Sequence, residues 1–258
     1  MMESKSIGVI GGGRITRIFL QAFRNKSFKP RIILVYDPDS SNMNRLSEHY
    51  PEINSAGSPE DAARQDVVIL AVHPPVMIDS LNKIREFVTG ETIMLSLAPK
   101  ITTSKMAGLL PTQKIMRMIP NATSVINDGF NPVAFNRNFP PDKKRKMLEF
   151  LGILGDTFEV DEKKLEGYAV FSAMLPTYFW FQWKKLEELA VKTGLTNKEA
   201  AGMMSATLSK SVRLMYDSGL SYEEVVDLIP VKPIGDSEDE IRAIYQSRLI
   251  GLYDRIKP

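Results

Sequence analysis

At 258 residues, with 43% hydrophobic and 25% charged residues, the chain has the balance of a globular protein of one large or two modest domains. A formal net charge of +2 creates no field that would recruit nucleic acid or an anionic membrane. The absence of cysteine excludes disulfides, thiolate catalysis and Cys-ligated zinc. The longest apolar run, residues 67–72, is far short of a membrane span, and residues 1–6 are expected to leave no room for a signal peptide. A cytoplasmic location is the expectation.

Residues 7–10 form a short apolar run that stops at a glycine cluster, the pattern of a buried parallel strand. Ile15, Ile18, Phe19, Ala22 and Phe23 follow at helical spacing. A second strand spans 32–36, and a short helix 43–50. Another helix opens with Ser58 as N-cap and Pro59 in its first turn. Strands at 67–72, 92–97 and 114–118 alternate with helices near 77–87 and 104–110. This rhythm predicts an α/β fold with a doubly wound, Rossmann-type parallel sheet. A further strand is expected at 132–135, a helix at 141–154 and an edge strand at 157–160. Helices alone follow, over 164–193, 197–218, 221–228 and 236–256. The expected division is therefore a dinucleotide-binding domain over 1–160 and an all-helical domain over 161–258.

The segment Gly11-Gly12-Gly13-Arg14-Ile15-Thr16 lies between a strand and a helix, as a dinucleotide fingerprint requires. Gly11 permits the tight turn, and Gly13 lets the backbone approach a pyrophosphate against free helix N-terminal amides. Thr16 stands where the fingerprint has its third glycine. Asp37 ends the second strand, where a carboxylate can accept from the adenine ribose hydroxyls and repel a 2′-phosphate. On that reading the cofactor is NAD(P)H with a lean toward NADH. The other reading makes Asp37 a turn residue before Pro38, and Ser40, Ser41, Asn42, Arg14 and Arg17 remain available to a phosphate.

The glycine turn and three further segments, in order, carry a resemblance. The three are Ala71-Val72-His73-Pro74, then Ser96-Leu97-Ala98-Pro99-Lys100, then Arg117-Met118-Ile119-Pro120-Asn121-Ala122-Thr123 with Gly129 beyond it. Together they resemble the pyrroline-5-carboxylate reductase family from residue 7 to about 237. The resemblance implies a Rossmann domain followed by a helical dimerisation domain. It implies hydride transfer from a reduced nicotinamide to the C=N carbon of a cyclic imine that carries a carboxylate. By position, Gly11, Gly12, Gly13, Arg14 and Ile15 would hold the pyrophosphate, and Val72, His73, Pro74, Ala98 and Asn121 would line the ribose and nicotinamide. The substrate would meet Ser172, Met174, Leu175, Gly235, Asp236 and Ser237, with Ser237 and His73 as the catalytic candidates.

The departures concentrate on the substrate side. The family's Ser-Gly-Ser-Gly-Pro-Ala-Tyr is here Ser172-Ala173-Met174-Leu175-Pro176-Thr177-Tyr178. Its Ser-Pro-Gly-Gly-Thr-Thr loop is here Lys232-Pro233-Ile234-Gly235-Asp236-Ser237. Small residues let backbone amides approach a compact anionic ring. Met174, Leu175 and Ile234 add bulk instead, and Asp236 adds negative charge. Two functions stay open: a reductase of a C=N or C=O bond, including pyrroline-5-carboxylate to proline, or a dinucleotide-binding sensor or assembly protein with little turnover.

His73 ends a strand where open α/β sheets bind ligands, and either contacts cofactor or is a polar loop residue. With His49 as the only other histidine, no metal site is expected. Phe179-Trp180-Phe181-Gln182-Trp183 is too apolar for a solvated helix and points to core or subunit-interface packing, or to a pocket wall. The basic run Lys143-Lys144-Arg145-Lys146 reads as the wet face of a helix. Expected partners are a small-molecule substrate and a second copy of the chain, as a homodimer or higher homo-oligomer, with no nucleic acid and no membrane.

Overall fold

The computed structural model describes residues 2–258. Eight strands form one sheet: β1 Ser6–Ile10, β2 Ile32–Tyr36, β3 Asn54–Ser55, β4 Val67–Leu70, β5 Ile93–Ser96, β6 Ile115–Met118, β7 Gly129–Phe135 and β8 Gly155–Glu159. Their spatial order is β3-β2-β1-β4-β5-β6-β7-β8. The strands from β3 to β6 pair in parallel, so their carboxyl ends share one edge. β7 runs antiparallel to β6, and β8 runs parallel to β7. The link over 119–128 holds only a short 3₁₀ turn, Ala122–Ile126, and is too short for the crossover that a parallel pairing needs. The chain therefore doubles back.

The helices are α1 Arg14–Asn25, α2 Ser40–His49, α3 Pro59–Ala63, α4 Pro74–Ile84, α5 Thr103–Ala107, α6 Pro141–Leu151, α7 Leu165–Tyr168, α8 Leu175–Lys192, α9 Asn197–Asp217, α10 Tyr222–Asp227 and α11 Glu238–Ile256. Ser58 caps α3 and Pro59 occupies its first turn, as the sequence implies. Strand residues alternate between the two faces of the sheet. On β4, Val67 and Ile69 join one core with Phe19 and Phe23 of α1 and Phe150 of α6. Val68 and Leu70 join the other with Met77 and Leu81 of α4 and Met106 of α5. This is the expected doubly wound arrangement, extended by an antiparallel reversal and by the two-residue edge strand β3, for which periodicity gave no signal.

The chain divides into two compact units. The first runs through Ala173 and includes Leu252–Pro258, and the second is Met174–Gly251. The division falls beyond residue 160 because Leu165 and Ala169 pack with Ile119 and Ala134 of the sheet unit. The single helix expected over 164–193 is also interrupted, by a π-helical turn at Ala169–Ala173. Pro176 has no N–H to return to the preceding turn, and it sits in the first turn of α8. In the second unit, α9 and α10 both begin with capping boxes, Thr196 with Glu199 and Ser221 with Glu224. Ala200 is the one buried residue among the described residues of this unit. No helix among the described residues is long and apolar enough to cross a membrane.

Candidate cofactor and substrate site

β1 lies between β2 and β4, so the chain leaves its carboxyl end in opposite directions and opens a crevice there. Gly11 turns the chain at φ +109°, and a Cβ on it would sit 2.4 Å from the Ala71 carbonyl oxygen. Only glycine fits. Gly13 differs. Its φ is −79°, it starts α1 without a side-chain cap, and a Cβ there would meet nothing within 4 Å. The space over Gly13 is open, and the helix N-terminus faces it with uncapped amides. Residue types and geometry thus fit a dinucleotide pyrophosphate. Thr16 replaces the third fingerprint glycine without loss of packing, because its buried hydroxyl donates to the Gly11 carbonyl.

Asp37 is occupied locally. Its Oδ2 accepts the Gly12 N–H at 2.6 Å, and its Oδ1 accepts the Asp39 N–H at 2.8 Å. The Asn42 amide group donates to the same Oδ1 at 3.4 Å. Asp39 in turn caps α2 through the Ser41 N–H at 2.8 Å. Hydrogen bonding from Ser41 holds the Asp39 carboxyl below its usual range.

The other predicted cofactor residues fall along the same edge of the sheet. Val72, His73 and Pro74 follow β4, and an exposed His73 caps α4 through its backbone conformation, with no side-chain capping bond. Ala98 follows β5 and is buried. Asn121 follows β6 and is committed: its Oδ1 accepts from the Thr123 N–H at 3.1 Å and the Thr123 hydroxyl at 3.0 Å. Arg117 falls within one of the resembled motifs, which implies no role for it. It lies fully buried on β6, ion-paired to Glu162 at 3.1 Å and to Glu166. The motif was the available signal, and the two acids carried none.

The substrate-side residues are divided between the units. Ser172 lies in the π-helical turn of the first unit. Met174 and Leu175 open α8, and Gly235, Asp236 and Ser237 form one 3₁₀ turn ahead of α11. Within that turn the Ser237 N–H donates to the Ile234 carbonyl at 3.0 Å. Asp236 and Ser237 are exposed, and Ile234 is 69% exposed. The basic run behaves as a helix surface: Lys143 meets Glu91, and Lys144 meets Glu159.

A family described as NADP oxidoreductase, coenzyme F420-dependent, matches residues 6–100. The pyrroline-5-carboxylate reductase of Corynebacterium melassecola is 24% identical over 258 residues, covering 97% of this chain and 94% of that protein. The chain resembles the pyrroline-5-carboxylate reductases. Among solved structures, the Plasmodium falciparum pyrroline carboxylate reductase superposes with a TM-score of 0.80 at 19% identity, covering 99% of this chain and 97% of the other. The Streptococcus pyogenes 1-pyrroline-5-carboxylate reductase gives the same TM-score and identity, covering 99% of each chain. These structures share the fold. The likeness is thus one of sequence over nearly the whole chain and of fold.

The lean toward NADH drawn from Asp37 is overturned, because the P. falciparum structure has NADP bound. The physical reason lies in the turn. A carboxylate already accepting two backbone N–H groups braces the glycine loop, and its presence after β2 does not report on the ribose.

Proposed function

We propose that the chain is an NAD(P)H-dependent reductase of the pyrroline-5-carboxylate reductase type, acting on the C=N, or a C=O, carbon of a small substrate. The open space over Gly13 carries the reading, since it lies at a turn where Gly11 and Asp37 are both committed to holding the backbone. Gly11, Gly12, Gly13, Arg14 and Ile15 hold the pyrophosphate on backbone amides at the positive end of α1. Val72, His73, Pro74, Ala98 and Asn121 flank the ribose and nicotinamide. The reduced nicotinamide, when bound, supplies the hydride. Exposed His73 and Ser237 are the groups assigned to deliver a proton to the substrate nitrogen or oxygen.

Ser172, Met174, Leu175, Gly235, Asp236 and Ser237 set the substrate. Their apolar bulk and the Asp236 charge favour a substrate less anionic than pyrroline-5-carboxylate, and they weaken a role in proline biosynthesis. The protein works in the cytoplasm as a homodimer or higher homo-oligomer, a reading supported by the exposed Trp180 and Phe181 in a helical unit with almost no core. Asp236 and Ile234 also favour a second reading, a dinucleotide-binding sensor or assembly protein without turnover.

Steady-state oxidation of NADH and NADPH against a panel of cyclic imines and keto acids decides between them. The reductase reading expects turnover of at least one panel member, with pyrroline-5-carboxylate slower than neutral cyclic imines. Replacing Ala173→Gly, Met174→Ser, Leu175→Gly, Ile234→Gly and Asp236→Thr together should raise turnover of pyrroline-5-carboxylate about tenfold or more. Cofactor binding with no turnover across the panel would favour the second reading. Robust turnover of pyrroline-5-carboxylate by the unaltered chain would overturn the assignment of those loops.

A further inference from the structure

Lys100 adopts φ +73°, a left-handed conformation that its side chain disfavours. The residue lies two positions after Ala98, beyond the carboxyl end of β5. Three buried or half-buried charged groups surround this segment. Glu166 Oε1 accepts the Lys100 N–H at 3.2 Å and also receives an N–H of Arg117. The same guanidinium reaches the Ala98 carbonyl at 3.4 Å and Glu162 Oε1 at 3.1 Å. Glu162 then takes both the N–H and the hydroxyl of Thr103, at 2.7 and 2.8 Å. The backbone groups that the cluster holds, the Ala98 carbonyl and the N–H groups of Lys100 and Thr103, fall within residues 98–103.

A cluster selected for stability alone has a poor form here. Arg117 Nε and Glu166 Oε2 are buried without a hydrogen-bond partner among the described residues. Burying charged groups with part of their hydrogen-bonding capacity unused adds little or nothing net to stability. What the cluster does achieve is geometric: it holds one loop in one conformation, including a residue that would otherwise leave it.

We infer that Arg117, Glu162 and Glu166 are positioning residues. They pin the segment 98–103 so that Ala98 and its neighbours present a fixed wall to the nicotinamide half of the cofactor, and Glu166 anchors Lys100 in its left-handed conformation by accepting its N–H. The inference rests on the cofactor site proposed above. Its mechanism is the hydrogen-bonded loop anchor, and none of the three residues touches the reacting atoms.

The test uses the full-length chain, with NADPH and NADH as probes. Glu166→Gln keeps the shape and removes the charge. In that variant the amides of Lys100 and Thr103 should exchange with deuterium about tenfold faster, with β6 unchanged. The Kd for whichever nicotinamide binds should rise about tenfold. Adding Lys100→Gly, which needs no anchor at positive φ, should bring the Kd back to within about twofold of the unaltered chain. A merely structural defect would not be rescued by glycine at that one position. Should Glu166→Gln fail to fold by circular dichroism, Glu162→Gln tests the Thr103 anchor in its place: the Thr103 amide should exchange faster and the Kd should rise, with no rescue expected from Lys100→Gly. Unchanged affinity in a folded variant, or no rescue of Glu166→Gln by Lys100→Gly, would overturn the positioning role alone. Failure of the unaltered chain to bind either nucleotide is a separate result, and it would overturn the cofactor site and the positioning role together.

Discussion

Gly11 and Gly13 are neighbours in the same turn, yet their replacement should fail in opposite ways. For Gly13→Val the fold should survive, because a Cβ at this position meets no protein atom within 4 Å and φ is −79°. The cost is that of a poor N-cap, about 0.5–1 kcal/mol, or a fall in melting temperature of about 2–4 °C. The branched side chain occupies the space assigned to the pyrophosphate. Losing two charge-assisted amide contacts costs about 3 kcal/mol, so the Kd for NADPH or NADH should rise about a hundredfold or more. Gly11→Ala instead meets a carbonyl oxygen at 2.4 Å with φ at +109°. Strain and overpacking together amount to about 3 kcal/mol, and the melting temperature should drop by roughly 10 °C. Thermal melts and calorimetric titration on both variants separate the effects. Retained affinity in folded Gly13→Val would place the dinucleotide elsewhere, and a neutral Gly11→Ala would refute the steric argument.

Three further outcomes are expected. Asp37→Ser removes the acceptor for the Gly12 N–H, so affinity for NADH and NADPH should fall together by about tenfold, their ratio holding within about threefold; a selective change in one would return Asp37 to ribose recognition. Asp66 joins the amino ends of β1 and β4. Burial raises its pKa, but hydrogen bonds from the Ser6 backbone, Lys5 and the Ser6 hydroxyl outweigh that and hold it at about 2. Its stabilising contribution is therefore complete above the ordinary carboxylate value and is lost as pH falls toward 2. Melting temperature between pH 5 and 2 should fall less steeply for Asp66→Asn, and equal slopes would contradict the assignment. Finally, light scattering at micromolar concentration should show at least a dimer. Phe181→Glu, altering a side chain 68% exposed in the isolated chain, should weaken that association at least about tenfold, and a monomeric unaltered chain would end the proposal.

Much of the first unit is legible in the sequence because its signals are local. A strand buried on both faces is a short apolar run, a helix has a period, and the turn between them at Gly11 needs backbone angles open to glycine. Ser58 and Pro59 announce α3 by hydrogen bonding and ring geometry that involve only adjacent residues. The substrate loops are legible as departures from a resembled pattern, which marks where they lie and leaves their chemistry to experiment.

What the tertiary structure decided depends on groups that meet only after folding. β3 has two residues and no pattern of its own, and exists because β2 offers it an edge. β7 reverses because the preceding link is too short to cross the sheet. The first unit reaches Ala173 because Leu165 and Ala169 find apolar partners in Ile119, just past β6, and Ala134 on β7. The same holds for the acids. Asp37 meets the Gly12 amide across 25 residues of sequence, and Glu166 meets Arg117 across 49. A carboxylate's residue type states that it accepts hydrogen bonds, and only the folded chain determines which donor it receives.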